Sequence, residues 1–129
     1  MTIRVVQLGA PRQADEGPRL GTVRRPPRGV KKADYARRDF FDLWFPDLAP
    51  SALLLSWARA QPLSESRWRV FARRYRREMR QPVPRRVIPL LAALSATSNF
   101  SVGCFCPDES RCHRSILREL LVEAGATLE

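Results

Sequence analysis

The stretch of residues 99–121 reads Asn99-Phe-Ser-Val-Gly-Cys-Phe-Cys-Pro-Asp-Glu-Ser-Arg-Cys-His-Arg-Ser-Ile-Leu-Arg-Glu-Leu-Leu121, and the predicted fold depends on it. Its apolar first part, Phe100 to Cys106, predicts a buried strand, and its last part predicts a helix from about Cys112 to Ala124. A parallel sheet covered by helices is built from such strand and helix pairs. The stretch therefore predicts an α/β fold with this strand at its centre.

The rest of the chain supplies neighbours for that strand and helices to cover the sheet. Residues 2–8 predict a first strand, residues 20–23 a second, and residues 40–48 an edge strand limited by Pro46. Helices are predicted from Ser51, from Ser64 and from Arg86, with Pro89 in the first turn of the third. The apolar positions expected to face the core are Leu53, Leu54, Trp57 and Ala58, then Trp68, Phe71, Ala72, Tyr75 and Met79, then Val87, Leu90, Leu91 and Leu94. We expect one α/β domain over residues 1–129, with a small, mostly parallel sheet flanked by helices.

Composition restricts the class of protein. A chain of 129 residues that is 44% hydrophobic can bury one core without disulfides. Its longest apolar run, residues 89–94, is far shorter than the roughly 20 residues that cross a bilayer, and no secretory signal is visible. Three cysteines are an odd number, which favours thiols or metal ligands over disulfides. We therefore expect a cytoplasmic protein without a membrane partner.

The charge indicates a polyanionic partner. The net charge is +10, and 21 of the 23 basic residues are arginines. Residues 24–38 form a basic loop with seven cations against the single acid Asp34, held extended by Pro26 and Pro27. Arginine suits bidentate contact with phosphate, so a phosphate-bearing ligand or nucleic acid is the expected partner. The alternative is that the loop and the other arginines form only a well-solvated surface.

All three cysteines and the only histidine of the chain lie in residues 99–121, the cysteine-rich strand, loop and helix segment. Cys104 and Cys106 are two apart on the predicted strand and share a face, while Cys112 and His113 begin the next helix. Ligands bind at the carboxyl ends of strands in open α/β sheets. We therefore expect these four side chains to converge on one pocket.

Cations crowd the start of the last helix, although a helix N-terminus ordinarily favours acids. A bound phosphate or carboxylate would explain why Arg111 and Arg114 occur at a helix N-terminus. Neutralisation by Asp108, Glu109 and Glu119 is the alternative. The predicted anion-binding residues are Arg114 and Arg111, joined from the basic loop by Arg25, Arg28, Lys31 and Lys32.

Three roles for the cysteines stay open. Cys104, Cys106, Cys112 and His113 offer soft ligands for zinc, although their spacing departs from the usual Cys-x2-Cys pairs. Alternatively, Cys106 or Cys112 is a catalytic thiolate assisted by His113, since a helix start and nearby cations lower the pKa of a thiol. Neither Cys104 nor Cys106 begins a Cys-x5-Arg sequence, which disfavours phosphatase chemistry at these two cysteines. The third role is that of small, buried apolar side chains.

Several separate motifs resemble one family. They are the run Val23-Arg-Arg-Pro-Pro-Arg-Gly-Val-Lys-Lys-Ala-Asp-Tyr35, the segment Leu48-Ala-Pro-Ser51, the pattern of Trp68, Phe71, Tyr75, Glu78 and Met79, and the closing Cys-x-Cys with Cys-His-Arg-Ser. Together they resemble the YeaO-like family, domain of unknown function 488, in the branch that carries the cysteine motif. The resemblance covers roughly residues 3–125. It implies an α/β domain and a family without an assigned reaction.

Two functional hypotheses follow from the residues. The first is an enzyme or nucleotide-handling module with an anion pocket, acting on a phosphorylated or nucleic-acid substrate through a cysteine, with zinc as the one conceivable cofactor. The second is a non-catalytic basic module that binds nucleic acid or an acidic protein. The sequence does not decide between enzyme and binding module.

Overall fold

Four parallel strands form the sheet, and the last of them in sequence lies inside it. The computed structural model describes residues 1–129. The strands are β1 (Ile3–Gln7), β2 (Arg19–Gly21), β3 (Leu43–Trp44) and β4 (Phe100–Cys104), in the spatial order β1-β4-β2-β3. Strand β4 pairs with β1 on one side and with β2 on the other, and it is buried throughout. The predicted α/β fold with a parallel sheet is confirmed.

Four helices complete the fold: α1 (Ala52–Arg59), α2 (Glu65–Glu78), α3 (Pro82–Leu94) and α4 (His113–Glu123). The Ser51 side chain accepts a hydrogen bond from the Leu54 N–H at 3.1 Å, and Ser64 caps α2 in the same way. These caps confirm the predicted starts of α1 and α2. The longest helix has 14 residues, and no helix is long and apolar enough to cross a membrane.

Helix α3 begins four residues earlier than predicted. Pro82 and Pro84 both fall in its first turn, where the missing proline N–H has no partner to lose. The prolines therefore start this helix, whereas the sequence prediction used them to separate it from α2. Pro89 consequently lies in the helix interior, and the predicted core positions Leu90 and Leu94 are exposed.

Two further predictions about apolar positions are wrong. Leu53 is 85% exposed, because it lies about 100° around α1 from Leu54, which faces the core. The predicted edge strand over residues 40–48 shrinks to β3, whose two residues are both exposed, while Phe41 is buried outside it. Strand β3 pairs only with the three-residue β2, and a 3₁₀ turn begins at Pro46.

The core has two parts. The larger one joins the helices to the sheet and includes the fully buried Tyr75, Leu117 and Leu121. The smaller one consists of Leu8, Val23, Phe41, Cys104 and Cys112, so that two cysteines belong to a hydrophobic cluster at the end of β4.

A buried ion pair fastens the loop before β2 to the sheet. Arg19 and Glu16 are 1% and 2% exposed, and the Arg19 Nε donates to Glu16 at 2.7 Å. The Ser101 hydroxyl of β4 donates to the same carboxylate at 2.8 Å. Burial opposes ionisation, but the hydrogen bonds from Arg19 and Ser101 outweigh it and lower the pKa of Glu16 to about 2. The pair therefore holds β2 in register with β4.

Candidate functional site

The three cysteines meet where β4 ends and α4 begins. Cys104 is the last residue of β4, and Cys112 has the extended backbone of an N-cap before α4. Their sulfur atoms and that of Cys106 all lie within 4.8 Å of one another, with 3.8 Å between Cys104 and Cys106. A strand carboxyl end and a helix N-terminus thus converge here, as the sequence pattern indicates.

Only one of the three cysteines is exposed to solvent. Cys104 is 7% exposed and Cys112 is 2% exposed, whereas Cys106 is exposed and lies just beyond the strand. A ligand in solution can therefore reach the cluster through Cys106. The other two thiols form its buried base.

The environment favours negative charge on Cys106. The Cys104 thiol donates to the Cys106 sulfur. That hydrogen bond and one with Cys112 lower the pKa of Cys106 to about 3 against the effect of burial, with a further contribution from the guanidinium groups of Arg114 and Arg59. The pKa of Cys104 is strongly raised by the same sulfur contacts and by burial. The cluster is thus asymmetric, with a buried donor behind an exposed thiolate.

His113 supports the cluster from inside the protein. Its ring is buried, and Nε2 lies 2.7 Å from the carbonyl oxygen of Thr22. Because a carbonyl oxygen only accepts, Nε2 carries the hydrogen, and Nδ1 faces the Cys112 sulfur at 3.8 Å. The hydrogen bond with Cys104, more than that with His113, lowers the pKa of Cys112. His113 therefore adjoins Cys112 and is held in place by Thr22.

Arg114 contacts the backbone of the exposed Cys106. Its side chain is 3% exposed and donates to the carbonyl oxygen of Cys106. Its Nε is buried without a hydrogen-bond partner, and it forms no ion pair with a carboxylate. Arg114 is therefore a buried guanidinium near the start of α4 whose donors are incompletely satisfied.

The other predicted anion-binding residues lie apart from the sulfur cluster. Arg111 places its guanidinium over the Trp68 ring at 5.7 Å. The side chains of Arg25, Arg28, Lys31 and Lys32 are exposed and form neither an ion pair nor a hydrogen bond. Arg24, in contrast, binds the carbonyl oxygens of Ala49 and Pro50 at 3.0 Å and fastens the basic loop to the start of α1.

Two residues near the site are not predicted from the sequence. Arg59 ends α1 and contributes a positive charge near Cys106, although 47 positions separate them. Thr22 follows β2 and orients His113 through its carbonyl oxygen. Neither residue belongs to a motif, so only the fold brings them to the cysteines.

A metal ion would find three ligands here. Zinc holds sulfur at about 2.3 Å, which places two tetrahedral ligands about 3.8 Å apart. The Cys104 and Cys106 sulfur atoms are separated by 3.8 Å. His113 lies outside the group of mutually close ligand atoms and uses Nε2 on Thr22, so the predicted four-residue set reduces to the three cysteines.

The family follows from a comparison with known proteins. A model of the DUF488-N3a group, described as the active DUF488-N3 subclade, matches residues 3–125. This chain therefore belongs to the DUF488 family, and its C-terminal Cys104, Cys106 and Cys112 fit the branch with the cysteine motif. No curated protein and no solved structure matches it.

Proposed function

We propose that this protein is a cysteine-dependent enzyme in which Cys106 is the nucleophile and the substrate carries a phosphate or another anionic group. The observation that carries the proposal is the position of the one exposed sulfur, 3.8 Å from a buried thiol donor and next to a buried arginine. Reactive cysteines are accessible, stabilised as thiolates and close to cations. Cys106 meets all three conditions.

Each neighbouring side chain has a role in the proposed reaction. The Cys106 sulfur donates its electron pair to an electrophilic centre of the substrate, and the leaving group departs with the electrons of the broken bond. Arg114 Nε, which lacks a partner, binds an anionic oxygen of the substrate. Cys104 remains protonated as a donor to the sulfur, and His113 positions Cys112. A thiolate centre of this kind suits the reducing cytoplasm.

Turnover of a panel of phosphorylated metabolites and nucleotides tests the proposal. We expect Cys106→Ser to abolish turnover and Arg114→Lys to reduce it more than a hundredfold. Arg80→Ala provides the control, because its exposed side chain lies on the turn between α2 and α3, far along the chain from the basic loop and the cysteines, and forms no ion pair. Turnover that survives in Cys106→Ser would refute the nucleophile.

A zinc centre is the second candidate, favoured by the mutual distances of the three sulfur atoms. Cys104, Cys106 and Cys112 would hold the ion, and an exogenous ligand would complete a tetrahedron. One equivalent of zinc in protein purified without added metal, lost in Cys104→Ser, would support it. Folded protein that holds no zinc, and whose three thiols are all titrated once it is unfolded, would exclude it.

A nucleic-acid-binding module is the alternative supported by the surface of α2 and α3. Six exposed arginines on these helices and the turn between them have no carboxylate partner: Arg73, Arg74, Arg77, Arg80, Arg85 and Arg86. Such a surface predicts affinity that falls steeply with salt. Salt-dependent binding to duplexes that is unchanged in Cys106→Ser would favour this alternative.

A further inference from the structure

We propose that the cavity beside the basic loop binds the base of a nucleoside phosphate. The cavity has a volume of about 470 Å³, within the range of small-molecule pockets, and its lining is mainly apolar. Three aromatic residues, Tyr35, Phe41 and Trp44, are among those that line it. Nucleic-acid bases stack on such rings, because every base has a π-face. The cavity therefore has the shape and surface for a planar heterocycle.

The charges at the cavity indicate a phosphate on that heterocycle. Lys32 lines the wall, and its ammonium group has no carboxylate partner. Arg28 is exposed nearby in the basic loop and is also unpaired. The one acid of this loop, Asp34, already binds Arg37 at 2.7 Å. Asp42, the one acid in the cavity wall, is paired with Arg12 at 2.7 Å, so Lys32 and Arg28 give the rim a net positive charge, which complements a phosphate.

One carboxylate oxygen in the cavity wall can select the base. The Asp42 Oδ2 accepts hydrogen bonds from Arg12 Nη1 and from the backbone N–H of Arg19, each at 2.7 Å. The Oδ1 accepts none, so it is free to accept from an amino group. Adenine, guanine and cytosine carry an exocyclic amino group, whereas uracil does not. Binding should therefore favour the three amino-bearing bases.

Packed side chains link the cavity to the thiol cluster. Phe41 lines the cavity and also packs in the hydrophobic cluster that contains Cys104 and Cys112. The Trp44 indole donates to the Val23 carbonyl at 2.8 Å, and Val23 packs in the same cluster. A nucleoside phosphate would be the substrate of the enzyme proposed above, and this assignment rests on that proposal. Binding of the base itself does not depend on Cys106.

Tryptophan fluorescence measures the binding directly. Titration of Cys106→Ser protein with AMP, GMP, CMP and UMP should give saturable quenching, because Trp44 lines the cavity whereas Trp57 and Trp68 do not. We expect AMP, GMP and CMP to bind at least about threefold more tightly than UMP. Calorimetry with AMP should show about tenfold weaker binding in Trp44→Leu, from lost stacking. Lys32→Ala should weaken AMP binding about fivefold, whereas Lys31→Ala, its exposed neighbour outside the cavity, should leave it unchanged.

The outcomes separate this inference from the proposed enzyme. The nucleotide site would be overturned if none of the four nucleotides shows saturable binding. Equal weakening of AMP binding in Lys31→Ala and Lys32→Ala would also overturn it. Either result would count even if Cys106-dependent turnover of another phosphate compound is found. Binding with the expected dependence on Lys32 and Trp44 upholds the site even if wild-type protein turns over no nucleotide, a result that would count against the proposed enzyme alone.

Discussion

The Cys104 sulfur lies 3.8 Å from the Cys106 sulfur, and the first is buried while the second is exposed. A thiol on the last residue of a central strand thus donates to a sulfur just outside the sheet. The backbone fixes the donor, because β4 is paired on both sides. The acceptor is free to react with groups from solution.

Alkylation of Cys106 should be fast in acid. An ordinary thiol has a pKa near 8.5 and loses reactivity about tenfold for each pH unit below it. Since the pKa of Cys106 is lowered to about 3, its reaction with iodoacetamide should change less than about threefold between pH 5 and pH 8. Mass mapping of the modified peptide measures this rate. In Cys104→Ala, which removes the donor, the rate at pH 5 should fall at least about tenfold. A rate in wild-type protein that climbs steeply across this range would contradict the assigned thiolate.

Inorganic phosphate should stabilise the folded protein through Arg114. A ligand that binds only the native state raises Tm with its concentration, and the unpaired Nε of Arg114 offers the donor. We expect 20 mM phosphate to raise Tm by about 2–4 °C over chloride of equal ionic strength. Arg114→Lys should lose this increment, whereas Arg111→Lys should keep it, because Arg111 stacks over Trp68 outside the cluster. Equal increments in both variants would argue against an anion site at Arg114.

Glu16→Gln should destabilise the fold in a pH-dependent manner. A carboxyl group whose folded pKa is about 2 and whose unfolded pKa is about 4.5 stabilises the folded state above pH 4.5, and this contribution is lost as the pH falls from there toward 2. The shift corresponds to about 3 kcal/mol at pH 7. Urea unfolding should therefore show a loss of about 3 kcal/mol or more at neutral pH, and less than half of that difference at pH 3. Asp15→Asn is the control, since Asp15 is exposed and its replacement should change the free energy of unfolding far less.

Gly17→Ala should unfold the protein far more readily than Gly29→Ala. Both glycines have positive φ angles, +76° and +71°, so both substitutions strain the backbone by roughly 1 kcal/mol. A Cβ at Gly17 would lie 1.9 Å from the Asn99 carbonyl oxygen, whereas at Gly29 it would meet open space. We expect Gly17→Ala to cost at least about 2 kcal/mol more in urea unfolding. Similar losses in the two variants would show that the close approach to Asn99 relaxes without cost.

Local pattern predicts the elements that carry the cysteines. The apolar residues from Phe100 to Cys104 form β4, and α4 buries Ile116, Leu117 and Leu121 as its helical spacing predicts. Gly125, with φ of +94°, ends that helix as expected. These elements depend on interactions between residues a few positions apart, which is why the sequence predicts them.

Other features depend on contacts between distant residues. The Glu16 and Arg19 pair lies in what the sequence presents as a turn, and its burial follows only from packing against Ser101. The proximity of Arg59 to Cys106 requires α1 to end beside the carboxyl end of β4. The start of α3 could not be predicted for another reason. Pro82 and Pro84 are compatible both with a break between two helices and with the first turn of a helix, and the tertiary packing of α3 determines which of the two forms.

The central position of β4 has a consequence for how the protein opens. Cys104 ends a strand that is paired on both sides, and Cys112 is buried against the same cluster. Fraying of β3 at the sheet edge exposes neither sulfur, so a thiol reagent reaches them only after the sheet itself separates. Slow labelling of these two cysteines in native buffer, after Cys106 is blocked, thus reports the free energy of global unfolding without added denaturant.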